Sequence, residues 1–114
     1  MHQDCIFCKL IAGEIPATLL FEDEDIVAFN DISPQAPTHV LVIPRKHLSG
    51  PAAITEADQP LIGKMVAKAT ELAAELGLDD GFRLVMNNGE KAGQTVFHLH
   101  LHLLGGRAMT WPPG

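Results

Sequence analysis

The run His98-Leu99-His100-Leu101-His102-Leu103 constrains the fold of this chain more than any other segment. Strict alternation has the period of an extended strand, whose successive side chains point to opposite faces. The leucines therefore need an apolar layer on one side, and the three imidazoles line up on the other. The strand reads from Val96 to Leu104 and ends at Gly105-Gly106. A helix between Thr55 and Leu76 can supply the layer, because Leu61, Ile62, Met65, Val66, Ala69, Leu72, Ala73 and Leu76 recur at helical spacing. Thr55 and Asp58 resemble a capping box, Pro60 is tolerated near the helix start, and Gly77 supplies a left-handed stop.

The other elements follow from similar signals. Cys5 to Ala12 fits a short helix stopped by Gly13 and Pro16. Thr18 to Glu22 and Ile26 to Asn30 read as a hairpin around Asp23-Glu24-Asp25. Pro34 and Pro37 exclude regular structure from residues 31–37. Thr38 to Pro44 is β-branched and continuously apolar, as a central strand covered on both faces would be, and Phe82 to Met86 reads as a further strand. The expected architecture is α+β, an antiparallel sheet of about five strands with one long helix and a short N-terminal helix. No repeat or linker interrupts residues 1–114, which read as a single domain. A domain this small gains apolar burial by dimerising.

The net charge of −6 argues against nucleic acid as a partner, since that needs a basic face. A single phosphate can still be held by backbone N–H groups and imidazoles. No apolar run approaches the roughly 20 residues that span a bilayer. The start Met1-His2-Gln3-Asp4-Cys5 has neither a basic flank nor an apolar signal core, so the expected compartment is the cytoplasm, with reduced cysteines.

Three readings fit the imidazole row. It is a polar solvent face, a three-histidine metal centre, or a nucleophilic site acting on phosphorus. Imidazole suits the last because it is substantially neutral at pH 7 and can form and release an N–P bond. Cys5-Ile6-Phe7-Cys8 has the spacing of half a zinc site, or is two unrelated packed cysteines.

His98-Leu99-His100-Leu101-His102-Leu103-Leu104 resembles the signature of the histidine-triad family, and in particular its histidine-triad nucleotide-binding branch. The resemblance extends through Ile6-Phe7, Phe21-Glu22-Asp23, Asp31 to His39, Val42 to His47 and Gly105 to Gly114. It implies that His100 is a nucleophile taking an adenylyl group and that His102 contacts the α-phosphate. Asn87 and Gly93-Gln94-Thr95 would face the same phosphate, Asp31 would hold the ribose hydroxyls, and Ile32 would border the nucleoside. Ile6, Phe7, Leu10 and Phe29 match the purine pocket, and His39 matches a histidine near the catalytic centre. Residue chemistry agrees in part: Gly93 permits close backbone approach, and Gln94 and Thr95 carry donors for a phosphate. Taken without the resemblance, Asp31 and Asn87 also read as turn residues, and Phe7 and Phe29 as core.

The same resemblance makes Cys5, Cys8, His47 and His98 the ligands of a structural Zn²⁺, with no catalytic metal required. It implies a homodimer with strands joined across a two-fold axis. The expected activity is hydrolysis of adenosine 5′-phosphoramidates, and of aminoacyl-adenylates, to AMP. The rivals are a dinucleoside polyphosphate hydrolase or nucleotidyl transferase, a non-catalytic nucleotide sensor, and a purely metal-binding module.

Overall fold

The computed structural model describes residues 4–114; Met1-His2-Gln3, expected to belong to no signal sequence, lie outside them. Five antiparallel strands form one sheet in the order β1-β2-β3-β5-β4, with β1 at Leu19–Glu22, β2 at Ile26–Asn30, β3 at Thr38–Pro44, β4 at Phe82–Val85 and β5 at Leu101–Gly105. Helix α1 spans Ile6–Ile11 and α2 spans Gln59–Glu75.

β3 is the central strand, and its two faces feed two cores. Val40 and Val42 join Ile26, Ala28, Leu99, Leu101 and Leu103 beneath α2, against Met65, Ala69, Leu72 and Ala73. Leu41 and Ile43 join Val27 and Phe29 on the opposite face, beneath Phe7 of α1. Burial on both sides is why β3 reads as an unbroken apolar run. Each fully buried aliphatic side chain contributes about 1.5–3 kcal/mol.

The long helix begins later than its capping box at Thr55 implies. Thr55 and Asp58 do form the box, with the Thr55 backbone N–H donating to Asp58 Oδ2 at 2.9 Å. That box closes a separate 3₁₀ turn at Glu56–Asp58, and α2 starts after it. The end is as expected: Gly77 has φ +76°, and the Gly77 and Leu78 N–H groups donate to Ala74 and Ala73 carbonyls. Leu78 is thereby turned inward to pack where Gly105 has no side chain, since a Cβ there would lie 2.7 Å from Leu78.

The last strand is shorter than expected, beginning at Leu101 rather than Val96. Its ladder with β3 pairs Val42 with Leu101 and goes no further, because Pro44 has no N–H to offer beyond that point. The Leu99 N–H instead donates to the Leu48 carbonyl. Side-chain alternation survives the loss of the ladder: Leu99, Leu101 and Leu103 stay in the α2 core, and His98 and His100 contact Phe7 on the opposite side.

Leu103→Ala should lower the unfolding free energy by about 2–5 kcal/mol in urea titrations. Leu104→Ala, on the opposite and partly exposed face, should cost about 1 kcal/mol. Equal losses would contradict this division of the strand.

Candidate active site and metal centre

A cavity of about 670 Å³ opens on the α1 side of the sheet. Ile6, Phe7 and Leu10 of α1 and Phe29 of β2 form an apolar end, with the Phe7 and Phe29 rings edge-on at 5.6 Å. Asp31, His39, Gly93, Thr95, His100 and His102 line the polar part. A pocket of this size with an apolar floor and convergent polar groups suits a nucleoside-sized ligand.

Hydrogen-bond partners assign the imidazole tautomers. His100 Nδ1–H donates to the His98 carbonyl at 2.7 Å, so its Nε2 carries the lone pair. The Gln35 backbone N–H donates to His39 Nδ1 at 3.0 Å, which makes His39 Nε2 a donor. That Nε2–H reaches His102 Nδ1 at 2.9 Å, so the proton of His102 sits on Nε2. His102 Nε2 is buried and meets no hydrogen-bond partner. A buried donor without an acceptor is costly unless a ligand completes it. Asp31 Oδ2 lies 3.5 Å from His39 Nε2, while its Oδ1 accepts the Ser33 N–H in a local turn. The carboxylate is thus both a turn residue and part of the cavity wall.

Burial lowers the pKa of His39, against the pull of Asp31. Burial, then His100 and His39, push His102 down to about 4. Both rings are therefore neutral at pH 7.

The second cluster lies at the foot of α1. Cys5 is the N-cap of α1 and Cys8 lies in its first turn, so both sulfurs face the same way. Cys5 Sγ is 3.3 Å from His98 Nδ1, Cys8 Sγ is 3.3 Å from His47 Nδ1 and 3.6 Å from His98 Nδ1, and all four ligand atoms fall within 4.8 Å of one another. Tetrahedral zinc, with bonds of about 2.3 Å to sulfur and about 2.0–2.1 Å to nitrogen, sets sulfur and nitrogen about 3.5 Å apart. The set therefore fits zinc in chemistry and spacing. His98 Nε2–H donates to the Pro44 carbonyl at 2.8 Å, which puts the ring's lone pair on Nδ1, the atom that faces the thiols. Without a metal, burial and the neighbouring Cys5 raise Cys8 to about 11, so binding must expel a proton.

The HIT domain model matches residues 12–109. The chain belongs to the HIT domain family. An uncharacterised HIT-like protein of Synechocystis is 56% identical over 100% of both chains. The crystal structure of a HIT family hydrolase from Legionella pneumophila superposes with a TM-score of 0.94, at 53% identity, covering 96% of this chain and 99% of that one. A 14 kDa zinc-binding protein of Zea mays is 49% identical, over 96% of this chain and 87% of its own.

Within this HIT fold, Ile6, Phe7, Leu10, Phe29, Asp31, Ile32, His39, Gly93, Thr95, His100 and His102 all line one cavity. Ile32 stands on its rim, 96% exposed. Three expected site residues lie elsewhere. His98, the first imidazole of the row, is fully buried between Pro44 and the thiols, within the Cys5, Cys8 and His47 cluster and outside the cavity lining. Gln94, expected as a phosphate donor, uses its side chain to brace its own loop: Nε2 donates to the Ser49 and Val96 carbonyls and Oε1 accepts the Gly89 N–H. Asn87 is absent from the cavity wall; its amide nitrogen would lie 3.9 Å from a Cβ at Gly93. Ile15, Pro16, Ala17 and Thr18 also line the cavity, where the sequence reading has a helix break at Pro16 and a strand from Thr18, and no site residue. The chain turns at residues 12–15, with Gly13 at φ +80° and the Glu14 N–H donating to the Lys9 carbonyl.

Asp31, His39 and His102 also have the spacing of a metal site. Proton positions argue against that use, because the Gln35 N–H on His39 Nδ1 leaves a hydrogen, not a lone pair, on Nε2.

The lowered pKa of His102 has a signed consequence. Its contribution to stability is complete above about 6.5 and is lost as pH falls through about 4, since the unfolded chain binds the proton first. Urea unfolding should show a declining free energy over that window, and His102→Gln should flatten it. A decline unaltered by the substitution would contradict the assignment.

Proposed function

We propose that this protein hydrolyses the P–N bond of purine nucleoside 5′-phosphoramidates through an adenylyl-His100 intermediate. The observation that carries this reading is the His100 Nδ1–H bond to the His98 carbonyl, with the ring lining the cavity. That bond holds the Nε2 lone pair in the reactive tautomer and stabilises the positive ring formed when Nε2 takes phosphorus. The apolar end formed by Phe7, Phe29, Ile6 and Leu10 suits a purine, and Asp31 is placed to accept ribose hydroxyls. The hydrolase similarity of the Legionella structure supports the reaction class.

In the first step Nε2 bonds to phosphorus, the P–N bond breaks, and the leaving nitrogen gains one proton. In the second, water bonds to phosphorus, the bond to His100 breaks, and that water gives up one proton. The orphan His102 Nε2–H donates to a phosphoryl oxygen throughout, and Gly93 and Thr95 bring backbone and hydroxyl donors to the same group. Aminoacyl-adenylates fit the same attack with a different leaving group.

Cys5, Cys8, His47 and His98 would hold a structural zinc, in keeping with the zinc-binding relative from Zea mays. Zinc there would fasten α1, and with it the purine pocket, to the segment that carries His100. A homodimer is part of the same proposal; β4 is an edge strand with Phe82 exposed, as strand pairing across a two-fold axis would need. Among the described residues no helix is long and apolar enough to cross a membrane.

His100→Ala should reduce AMP release from adenosine 5′-phosphoramidate by at least about 10³-fold while AMP still binds in calorimetry. Near wild-type turnover would eliminate the nucleophile assignment. Native mass spectrometry should find one zinc per chain, and Cys8→Ser should lose it and lower Tm by several degrees. Chemistry in the folded protein should not need a second metal. A Cys8→Ser protein that still held zinc would remove this ligand set.

A further inference from the structure

We propose that Arg107 is a positioning residue that fixes the tautomer of His39, and so the donor state of His102, from outside the cavity. Residues 31–37 form no regular structure, and Pro34 and Pro37 deprive them of two backbone donors. The hydrogen bonds made inside this stretch are local ones: the Ser33 N–H to Asp31 Oδ1 and Gln35 Nε2 to the Ser33 carbonyl. Yet the Gln35 N–H sets which nitrogen of His39 bears the proton.

Arg107 reaches this stretch from the turn after β5. Its Nε and Nη2 donate to the Gln35 carbonyl at 3.2 and 3.1 Å, and its Nη1 donates to the Ala108 carbonyl at 3.1 Å. A guanidinium holding one carbonyl through two donors fixes direction as well as distance. Beside it Gly106, at φ +90°, leaves Pro37 its place, since a Cβ there would lie 2.9 Å from Pro37 Cβ. The two Arg107 donors thus hold the backbone around Gln35.

The order of control is Arg107, the Gln35 peptide groups, His39 Nδ1, His39 Nε2–H, then His102. If the Gln35 N–H turned away, His39 Nδ1 could take the proton. His39 Nε2 would then present a lone pair to His102 Nδ1, and His102 would have to move its own proton from Nε2 to Nδ1. The buried Nε2–H donor of His102 would be lost without any change in the cavity's residues. Arg83, which donates to the Thr110 carbonyl on the same tail, touches none of these groups in its hydrogen bonding and is the natural control.

The tautomer claim stands alone; its effect on turnover rests on the proposed phosphoramidate chemistry. Nitrogen-15 NMR of the full chain should show His39 Nδ1 as a lone-pair nitrogen in wild type and in Arg83→Met. In Arg107→Met that signal should shift toward an N–H nitrogen, with Arg107→Lys between the two. Gly106→Ala, which pushes on Pro37, should move it in the same direction. AMP release by Arg107→Met should fall about tenfold or more with AMP affinity kept. An unchanged His39 signal in Arg107→Met, or an equal shift in Arg83→Met, would overturn the proposal. If Arg107→Met gave no folded spectrum, unchanged signals in Arg107→Lys and Gly106→Ala would overturn it equally. A shifted tautomer with unchanged turnover would spare the positioning claim and count against the proposed chemistry.

Discussion

His98 joins the sheet, the thiols of α1 and the ring of His100, through three polar atoms with three different tasks. Its Nε2–H is anchored on the carbonyl of Pro44, the residue that ends the central strand. Its Nδ1 faces the two thiols of α1. Its backbone carbonyl receives the His100 Nδ1–H and thereby sets the tautomer of the ring beside the cavity. The ring is fully buried, so its bond to Pro44 is shielded from bulk water. A residue with no access to substrate therefore links the metal cluster, the sheet and the proposed nucleophile.

Much of this could be read from the sequence because the strongest signals were periodic. Alternating leucines found the α2 core, and the continuous run of β3 marked a strand buried on both faces. The strand boundary was lost because periodicity describes which way side chains point, not where backbone donors end. Residues 98–100 keep the alternation after Pro44 has closed the ladder. The helix start was lost for a similar reason: the box at Thr55 is real, but it caps a 3₁₀ turn that precedes α2.

The site was legible where a motif carried it and less so where loop packing decides. Gln94 carries donors that a phosphate could use, but it faces the Ser49 and Gly89 backbone in a buried position. Nothing in its local sequence distinguishes those two uses. Residues 15–18 became a cavity wall only through the turn after α1, where Gly13 takes a positive φ. The trio Asp31, His39 and His102 shows the converse problem, since distances alone allow a metal that the Gln35 N–H forbids. Hydrogen polarity, not proximity, separates a proton relay from a ligand set here.

The central claim is that His100 Nε2 takes phosphorus. The direct measurement is rapid acid-free quenching during turnover of an adenosine 5′-phosphoramidate, followed by peptide mapping and phosphorus–nitrogen NMR of the trapped protein. The account predicts an adenylyl group bonded to Nε2 of His100, formed and lost at rates consistent with turnover. An adduct on His102, on His39 or on Nδ1 of His100, or single-turnover AMP release with no adduct at all, would contradict it.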